Sequence, residues 1–115
     1  NIKYKDLIQE EWDIGKFDVV IDFGFYHFYP TNKQHEYFTK LDSVLNTNGI
    51  YVNESARLVG APFKGNNPLG YKPPRLCRSD FDIFDNYSKV VLNEGELPAH
   101  GDWKEYPCWQ AVYKK

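Results

Sequence analysis

Two carboxylates in this sequence stand where a parallel β-sheet would bind a ligand. Asp22 closes one apolar, β-branched run and Glu54 closes a second, and open α/β sheets bind ligands beyond the carboxyl ends of their strands. Between them, Gly24 lets a backbone approach a ligand, and the segment 25–29 holds four aromatic residues and His27. Aromatic faces attract cations, and carboxylates add Coulomb attraction. The pattern therefore suits a flat, partly cationic ligand.

Each of these residues also has a purely structural interpretation. The ordinary pKa of histidine suits His27 to accept a proton as a general base, but a packed loop histidine is the alternative. Asp22 could face a ligand or hold the loop, and Glu54 could be a solvated carboxylate. The aromatic side chains of the loop could form the wall of a site or part of the core.

A strand, a helix and a second strand must position these residues. Apart from Asp18, residues 17–21 are apolar and mostly β-branched, which predicts a strand buried on both faces in the middle of a parallel sheet. Thr31-Asn32-Lys33-Gln34 has the form of a capping box and predicts the start of a helix, which Gly49 would end as a left-handed cap. Residues 50–54 predict the next strand, so the segment forms a parallel βαβ unit.

The second half of the chain predicts a long loop and a closing pair of strands. Residues 57–74 are rich in glycine and proline, which is typical of a lid or a binding segment. Ser79-Asp80-Phe81-Asp82 would cap a short helix that runs through Phe84. Residues 87–92 and 108–113 predict two antiparallel strands, because the connection between them has no helical period.

Composition limits the class of protein. A chain of 115 residues that is 42% hydrophobic can build one core, and its net charge of -2 predicts no nucleic-acid partner and no anionic membrane surface. No apolar run approaches the roughly 20 residues that span a bilayer. Cys77 and Cys108 lack a metal or redox spacing, which predicts unpaired thiols in a reducing, cytoplasmic compartment. His100 has no spaced partners, so no metal is expected.

The strand-loop-helix-strand segment resembles a known family. Phe17-Asp18-Val19-Val20-Ile21-Asp22-Phe23-Gly24, the aromatic and histidine segment that ends at Pro30, and the helix end at 41–45 followed by Asn46-Thr47-Asn48-Gly49 are similar to part of the class I S-adenosylmethionine-dependent methyltransferases. The match is to the fourth strand, its loop and helix, and the fifth strand. The closing strand pair resembles the reversed last strand of that fold. The long loop is most similar to the thiopurine, thiol and halide methyltransferase branch.

The resemblance implies an α/β fold in which this chain is the carboxyl-terminal half of a Rossmann-like methyltransferase sheet. It implies S-adenosylmethionine as the cofactor and a small molecule as the methyl acceptor. On this chain it places the base at His27, the cofactor against Asp22, Phe23, Gly24 and Tyr26, and the acceptor against Phe28, Tyr29 and Glu54. The glycine-rich cofactor loop and the ribose-binding acidic residue of the family are absent from this sequence.

Residues 1–115 are therefore expected to form a partial methyltransferase domain. The sequence begins at Asn1 and contains no methionine. An apolar strand at 17–21 on the edge of a sheet would also leave its backbone groups unprotected. We expect the missing strands to come from an amino-terminal half or from a partner chain, and the chain alone to bind the cofactor weakly. The alternative is a non-catalytic methyltransferase-like subunit that acts as a docking module.

Overall fold

A computed structural model describes residues 7–59, 74–97 and 106–115 of the chain. These residues form one four-stranded sheet with the strand order β1-β2-β4-β3. The strands are β1 (Phe17–Phe23), β2 (Leu45–Ala56), β3 (Ser88–Leu97) and β4 (Tyr106–Lys114). An α-helix, α1 (Gln34–Val44), connects β1 to β2, and 3-10 helices lie at Tyr26–Phe28, Thr31–Lys33 and Arg78–Phe84.

The pairing of the strands confirms the predicted α/β class. β1 and β2 run parallel, as expected of a strand-helix-strand unit. β4 pairs antiparallel with both β2 and β3, so the last two strands close the sheet as an antiparallel pair. Both strands extend beyond the predicted ranges of 87–92 and 108–113.

The core lies between one face of the sheet and the layer formed by α1 and the 3-10 helix Arg78–Phe84. Phe84 is fully buried at its centre. Its ring centroid lies between 5.1 and 6.3 Å from those of Tyr26, Tyr37, Phe38, Tyr51, Phe81 and Tyr113. Each aromatic pair in such geometry adds about 0.5 to 1.5 kcal/mol beyond its buried area. Large aromatic rings thus fill the core of this short chain.

The opposite face of β1 is apolar and open. Val19, Ile21 and Phe23 are 53%, 60% and 70% exposed, and their neighbours across the pairing with β2 include Ile50 and Val52. The prediction that β1 is buried on both faces in the middle of a sheet concerns its assembly with further strands, and it stays a prediction. β1 is an edge strand, because the described part of the chain supplies no strand beyond it and no layer over this face.

The start of α1 differs from the predicted capping box. A 3-10 turn occupies Thr31–Lys33, and the α-helix begins only at Gln34. The side chain of Gln34 does not turn back to the helix start: its Nε2 donates to Asp80 Oδ1 at 2.9 Å. A tertiary contact has thus replaced the local one that the sequence pattern favoured.

The end of α1 also differs, since Gly49 does not cap it. The helix ends at Val44 and β2 begins at the next residue, so Gly49 lies inside a strand. The left-handed residue is Asn48, with a φ of 65°. Glycine is still required at position 49, because a Cβ there would lie 2.6 Å from Leu45 Cδ1 and 2.7 Å from the carbonyl oxygen of Asn46.

The predictions for the second half are confirmed in part. The short helix is the 3-10 helix Arg78–Phe84. Within the predicted capping segment, Asp80 Oδ2 accepts a hydrogen bond from the backbone N–H of the N-cap residue Cys77 at 2.7 Å. Cys77 and Cys108 are buried and form no disulfide with each other, as expected. Most of the predicted loop 57–74 lies outside the described residues, and so does His100.

Neither a membrane-spanning helix nor a metal-binding cluster is found in the ranges that the structure describes. Within them, the longest helix is too short and too polar to cross a bilayer. The same ranges hold no group of three or more histidine, cysteine or acidic side chains placed to bind a metal ion.

Candidate functional site

Asp22 holds the loop that follows β1. Its Oδ1 accepts a hydrogen bond from the backbone N–H of Phe25 at 2.8 Å, and its Oδ2 accepts one from the N–H of Tyr26 at 3.1 Å. The hydroxyl of Tyr37 donates to the same Oδ2 at 2.5 Å. Burial raises the pKa of Asp22, while these three hydrogen bonds oppose that shift. Both carboxylate oxygens are engaged inside the chain, so the loop-holding interpretation describes this geometry.

A chain of buried hydrogen bonds continues from Asp22 along β2. The hydroxyls of Tyr37 and Tyr51 lie 2.7 Å apart, Asn53 Nδ2 donates to the Tyr51 hydroxyl at 2.8 Å, and Ser55 Oγ donates to Asn53 Oδ1 at 2.7 Å. Burial raises the pKa of both tyrosines well above the ordinary range, so both stay protonated. Every member has a partner, which is what a buried polar group needs to avoid a desolvation cost.

Sequence reasoning missed this network, although a signal for it was present. Residues 51, 53 and 55 alternate along β2 and carry a hydroxyl, an amide and a hydroxyl. Alternate residues of a strand point to the same face, so one face of β2 was bound to be polar. The sheet turns that face toward the core.

The carboxyl ends of β1 and β2 bring three of the predicted site residues together. Phe23 stands opposite Glu54 in the parallel pairing. Gly24 follows with a φ of 85°, a conformation that L side chains rarely adopt, and its N–H donates to the carbonyl oxygen of Glu54 at 2.8 Å. Phe23 is exposed and Glu54 is partly buried. These three residues therefore lie together at the carboxyl ends of β1 and β2, and this position is called the crevice below.

His27 lies beside this crevice but is buried. Its Nδ1 accepts a hydrogen bond from the backbone N–H of Ala56 at 2.9 Å. Burial lowers the pKa of His27 to about 4, so the ring is neutral near pH 7 and its proton resides on Nε2. In this geometry His27 can donate a hydrogen bond, and proton removal by Nδ1 would first require that atom to leave Ala56. The predicted catalytic role of His27 stays a prediction.

The aromatic residues of the loop divide between core and surface. Tyr26 and Tyr29 are fully buried, whereas Phe28 is half exposed. The hydroxyl of Tyr26 donates to the backbone oxygen of Asp80, and the hydroxyl of Tyr29 accepts a hydrogen bond from Lys40 Nζ at 3.1 Å. Of the aromatic side chains predicted to contact cofactor or acceptor, Phe23 and Phe28 are therefore the accessible ones.

A cleft of about 460 Å³ runs along the open edge of β1. Asp22, Phe23 and Phe25 line the end nearest the crevice, and the rest of the lining is almost entirely apolar, with Trp12 and Ile21 among its members. The cleft thus joins the crevice to the edge where a further strand would pair.

The stability of the chain should fall as the pH is lowered, partly because of His27. The unfolded chain binds a proton near the ordinary histidine pKa of 6.5, whereas the folded ring resists protonation down to about 4. The stabilisation present above pH 6.5 is therefore lost as the pH falls through this window. His27→Asn, whose Oδ1 can accept the Ala56 hydrogen bond, should flatten the pH dependence of the urea unfolding midpoint.

The matched control for this experiment is His35→Asn, at an exposed position of α1. That variant should keep the pH dependence of the unaltered chain. An unchanged slope in His27→Asn would contradict a buried, neutral imidazole.

The solved structures that match this chain include an N-methyltransferase. N-methyltransferase NodS from Bradyrhizobium japonicum WM9, in complex with S-adenosyl-L-homocysteine, matches with a TM-score of 0.67 and 13% sequence identity, over 96% of this chain and 52% of NodS. TehB from Haemophilus influenzae matches with a TM-score of 0.62 and 14% identity, over 88% of this chain and 36% of TehB.

A third match comes from a structure that concerns the conversion of a disulfide bond into a thioacetal group during echinomycin biosynthesis. Its TM-score is 0.63 at 13% identity, over 88% of this chain and 50% of that one. The chain thus spans about half, or less, of the length of the structures it matches. No protein-family model and no curated sequence matches it. At these identities the likeness shows a shared fold alone, the α/β sheet of these structures.

Proposed function

We propose that this chain is the carboxyl-terminal half of an S-adenosylmethionine-dependent methyltransferase that methylates a small-molecule nucleophile. The observation that carries the proposal is the match over 96% of the chain to an N-methyltransferase bound to S-adenosyl-L-homocysteine. The crevice of Phe23, Gly24 and Glu54 supports it, because it lies at the carboxyl ends of two parallel strands, where such sheets bind ligands. The nearer relationship to the thiopurine, thiol and halide branch is also a proposal.

Within this proposal the site residues have distinct roles. The backbone of Gly24 and the exposed ring of Phe23 contact the cofactor, since an aromatic face attracts a sulfonium cation. Asp22 and Tyr26 shape the loop from within. Phe28 and Glu54 face the acceptor, and Tyr29 supports them from the core.

Methyl transfer requires little from these side chains beyond the correct placement of the two reactants. The cofactor supplies an activated methyl group when it is bound, and transfer to a nucleophile depends mainly on in-line positioning. His27 can orient the acceptor through a hydrogen bond from Nε2, because its Nδ1 is already engaged with Ala56. A general base is then not required, although His27 remains the candidate if one is used.

The partner in this proposal is an amino-terminal half, on the same polypeptide or on a second chain. It would supply the glycine-rich loop and the acidic residue that this sequence lacks. The strands of that half would add to the sheet at the open edge of β1. The composition argues for no nucleic-acid or membrane partner, and a cytoplasmic location is proposed because Cys77 and Cys108 form no disulfide with each other.

Calorimetry with S-adenosyl-L-homocysteine tests the proposal. The 115-residue chain alone should bind it with a dissociation constant of about 1 mM or weaker, and the protein with its amino-terminal half restored should bind in the low micromolar range. A low micromolar constant for the chain alone, about -8 kcal/mol, would contradict the half-domain proposal.

The second candidate is a non-catalytic methyltransferase-like subunit that serves for docking. The observation that favours it is that Asp22 and His27, the two side chains best suited to chemistry, are both held by bonds within the chain. Transfer of a radiolabelled methyl group by the restored protein to a panel of thiol and amine acceptors separates the two. Cofactor binding without any transfer would favour the docking subunit.

A further inference from the structure

A second cleft, of about 570 Å³, lies on the covered side of the sheet. It is bounded by the 3-10 helix Arg78–Phe84 on one side and by strands β3 and β4 on the other. Leu92, Trp109 and Tyr113 are among its apolar lining. It shares no lining residue with the cleft along β1, so it is a separate site.

One wall of this cleft carries a row of polar side chains. Ser79, Asp82 and Asp85 all line it and lie three residues apart. In a 3-10 helix, residues three apart lie directly above one another, so the helix presents Ser79 and Asp82 in one row, and Asp85 follows directly after the last helical residue. Ser79 Oγ is buried and has no hydrogen-bond partner in the part of the chain that the structure describes. Such groups are uncommon in folded proteins, and this one suits a ligand.

Two of the three cationic side chains that line the cleft lie near Trp109. The guanidinium carbons of Arg57 and Arg78 lie 5.8 and 6.0 Å from the centroid of its ring. Arg57 is already held, since its Nε donates to the backbone oxygen of Cys108 at 3.1 Å and its Nη1 lies 3.6 Å from Glu94. The ion pairs among the described residues include neither Arg78 nor Lys89, the third cation of the lining.

The balance of charge in the cleft limits the class of ligand. Arg57, Arg78 and Lys89 line it together with Asp82, Asp85 and Glu94, so each sign is represented three times. A ligand with only one sign of charge would meet repulsion as well as attraction. A ligand with separated charges of both signs can place each charge beside lining charges of the opposite sign.

We propose that this cleft binds a small zwitterion. Arg78 and the Ser79 hydroxyl donate to its carboxylate, and Asp82 and Asp85 accept from its ammonium group. A 3-10 helix rises about 2 Å per residue, so Ser79 and Asp82 are about 6 Å apart along its axis. That spacing fits a molecule whose two charges are several bonds apart, such as a γ-amino acid. The inference goes beyond the proposed methyl transfer and does not depend on it.

Three small molecules of similar size test the inference on the 115-residue chain, without S-adenosylmethionine. These are 4-aminobutanoate, butanoate and butylamine. The indole N–H signal of Trp109, assigned with Trp109→Phe, should shift saturably with 4-aminobutanoate, with a dissociation constant on the order of 1 mM, as expected for so small a ligand. Butanoate and butylamine should bind at least about 10-fold more weakly. Equal binding of all three, or no saturable shift with 4-aminobutanoate, would overturn the proposal.

Two variants locate the site. Ser79→Ala and Asp82→Asn should each weaken binding of 4-aminobutanoate by about 5- to 30-fold, as expected for the loss of one charge-assisted hydrogen bond. Asp18→Asn, an exposed change on β1, is the control and should leave binding unchanged. Equal losses in Asp82→Asn and Asp18→Asn would place the ligand elsewhere. If a variant fails to fold, the comparison of the three molecules on the unaltered chain still decides the matter.

Discussion

Lysine at positions 19 and 21 should abolish assembly of this chain with the strands proposed to flank β1, and should leave the isolated chain folded. Both side chains point to the open face and are mostly exposed, so the folded chain loses little when they change. Burial of each aliphatic side chain in an assembly is worth about 1.5 to 3 kcal/mol, and lysine on an edge strand blocks pairing. The dissociation constant of the two halves should rise by at least about 10³-fold.

Analytical ultracentrifugation of the Val19→Lys/Ile21→Lys variant mixed with the amino-terminal half measures this effect, and thermal unfolding of the variant alone checks its fold. Thr39→Lys, at an exposed position of α1, is the control for added charge. Val20 is less suitable for this test, since it packs against the core from the covered face and Val20→Asp should unfold the chain by itself. Normal assembly of the double variant would mean that β1 remains an outer edge in the functional protein.

Gly24→Val should raise the dissociation constant of the restored enzyme for S-adenosyl-L-homocysteine by about 100-fold, which corresponds to about 2.7 kcal/mol. A β-branched residue is strained at the φ of 85° found here. Relief of that strain requires the peptide to rotate, which breaks the hydrogen bond from the Gly24 N–H to Glu54 and moves the backbone that is proposed to contact the cofactor.

The structure offers a matched control for this change. Gly15 also has a positive φ, of 96°, and a Cβ there would meet no atom within 4 Å. Gly15→Val therefore carries a similar backbone cost away from the crevice. Calorimetry should show nearly normal affinity for Gly15→Val and weak binding for Gly24→Val. Equal affinities would mean that the turn at Gly24 does not contact the cofactor.

The order and type of the main elements could be predicted from the sequence because their signals are local. Each main element is indicated by residues within it: the apolar run before Asp22, the apolar positions at helical spacing in residues 37–45, and the β-rich run from Ile50. The parallel pairing of β1 and β2 and the antiparallel pairing of β3 and β4 were predicted as well.

What could not be predicted depends on contacts between distant residues. Gln34 leaves the expected cap because Asp80, 46 residues away, accepts its amide hydrogen. Likewise, the sequence placed Asp22 at a ligand site, but only the fold shows that Tyr37 and two backbone amides occupy its oxygens. The exposure of one face of β1 could not be predicted either, because the composition of this strand is typical of one that is buried on both faces.

The position of β4 in the sheet bears on how the chain folds during synthesis. β4 follows β3 in the sequence but lies between β2 and β3. The ribosome synthesises the chain from the amino end at roughly 5 to 20 residues per second. The strand-helix-strand unit of β1, α1 and β2 therefore emerges while β4 is still inside the exit tunnel. β3 then has no partner in the sheet until residues 106–114 are free. The sheet must therefore close late, and a stalled chain that lacks these residues would display two additional unpaired strand edges to chaperones, one on β2 and one on β3.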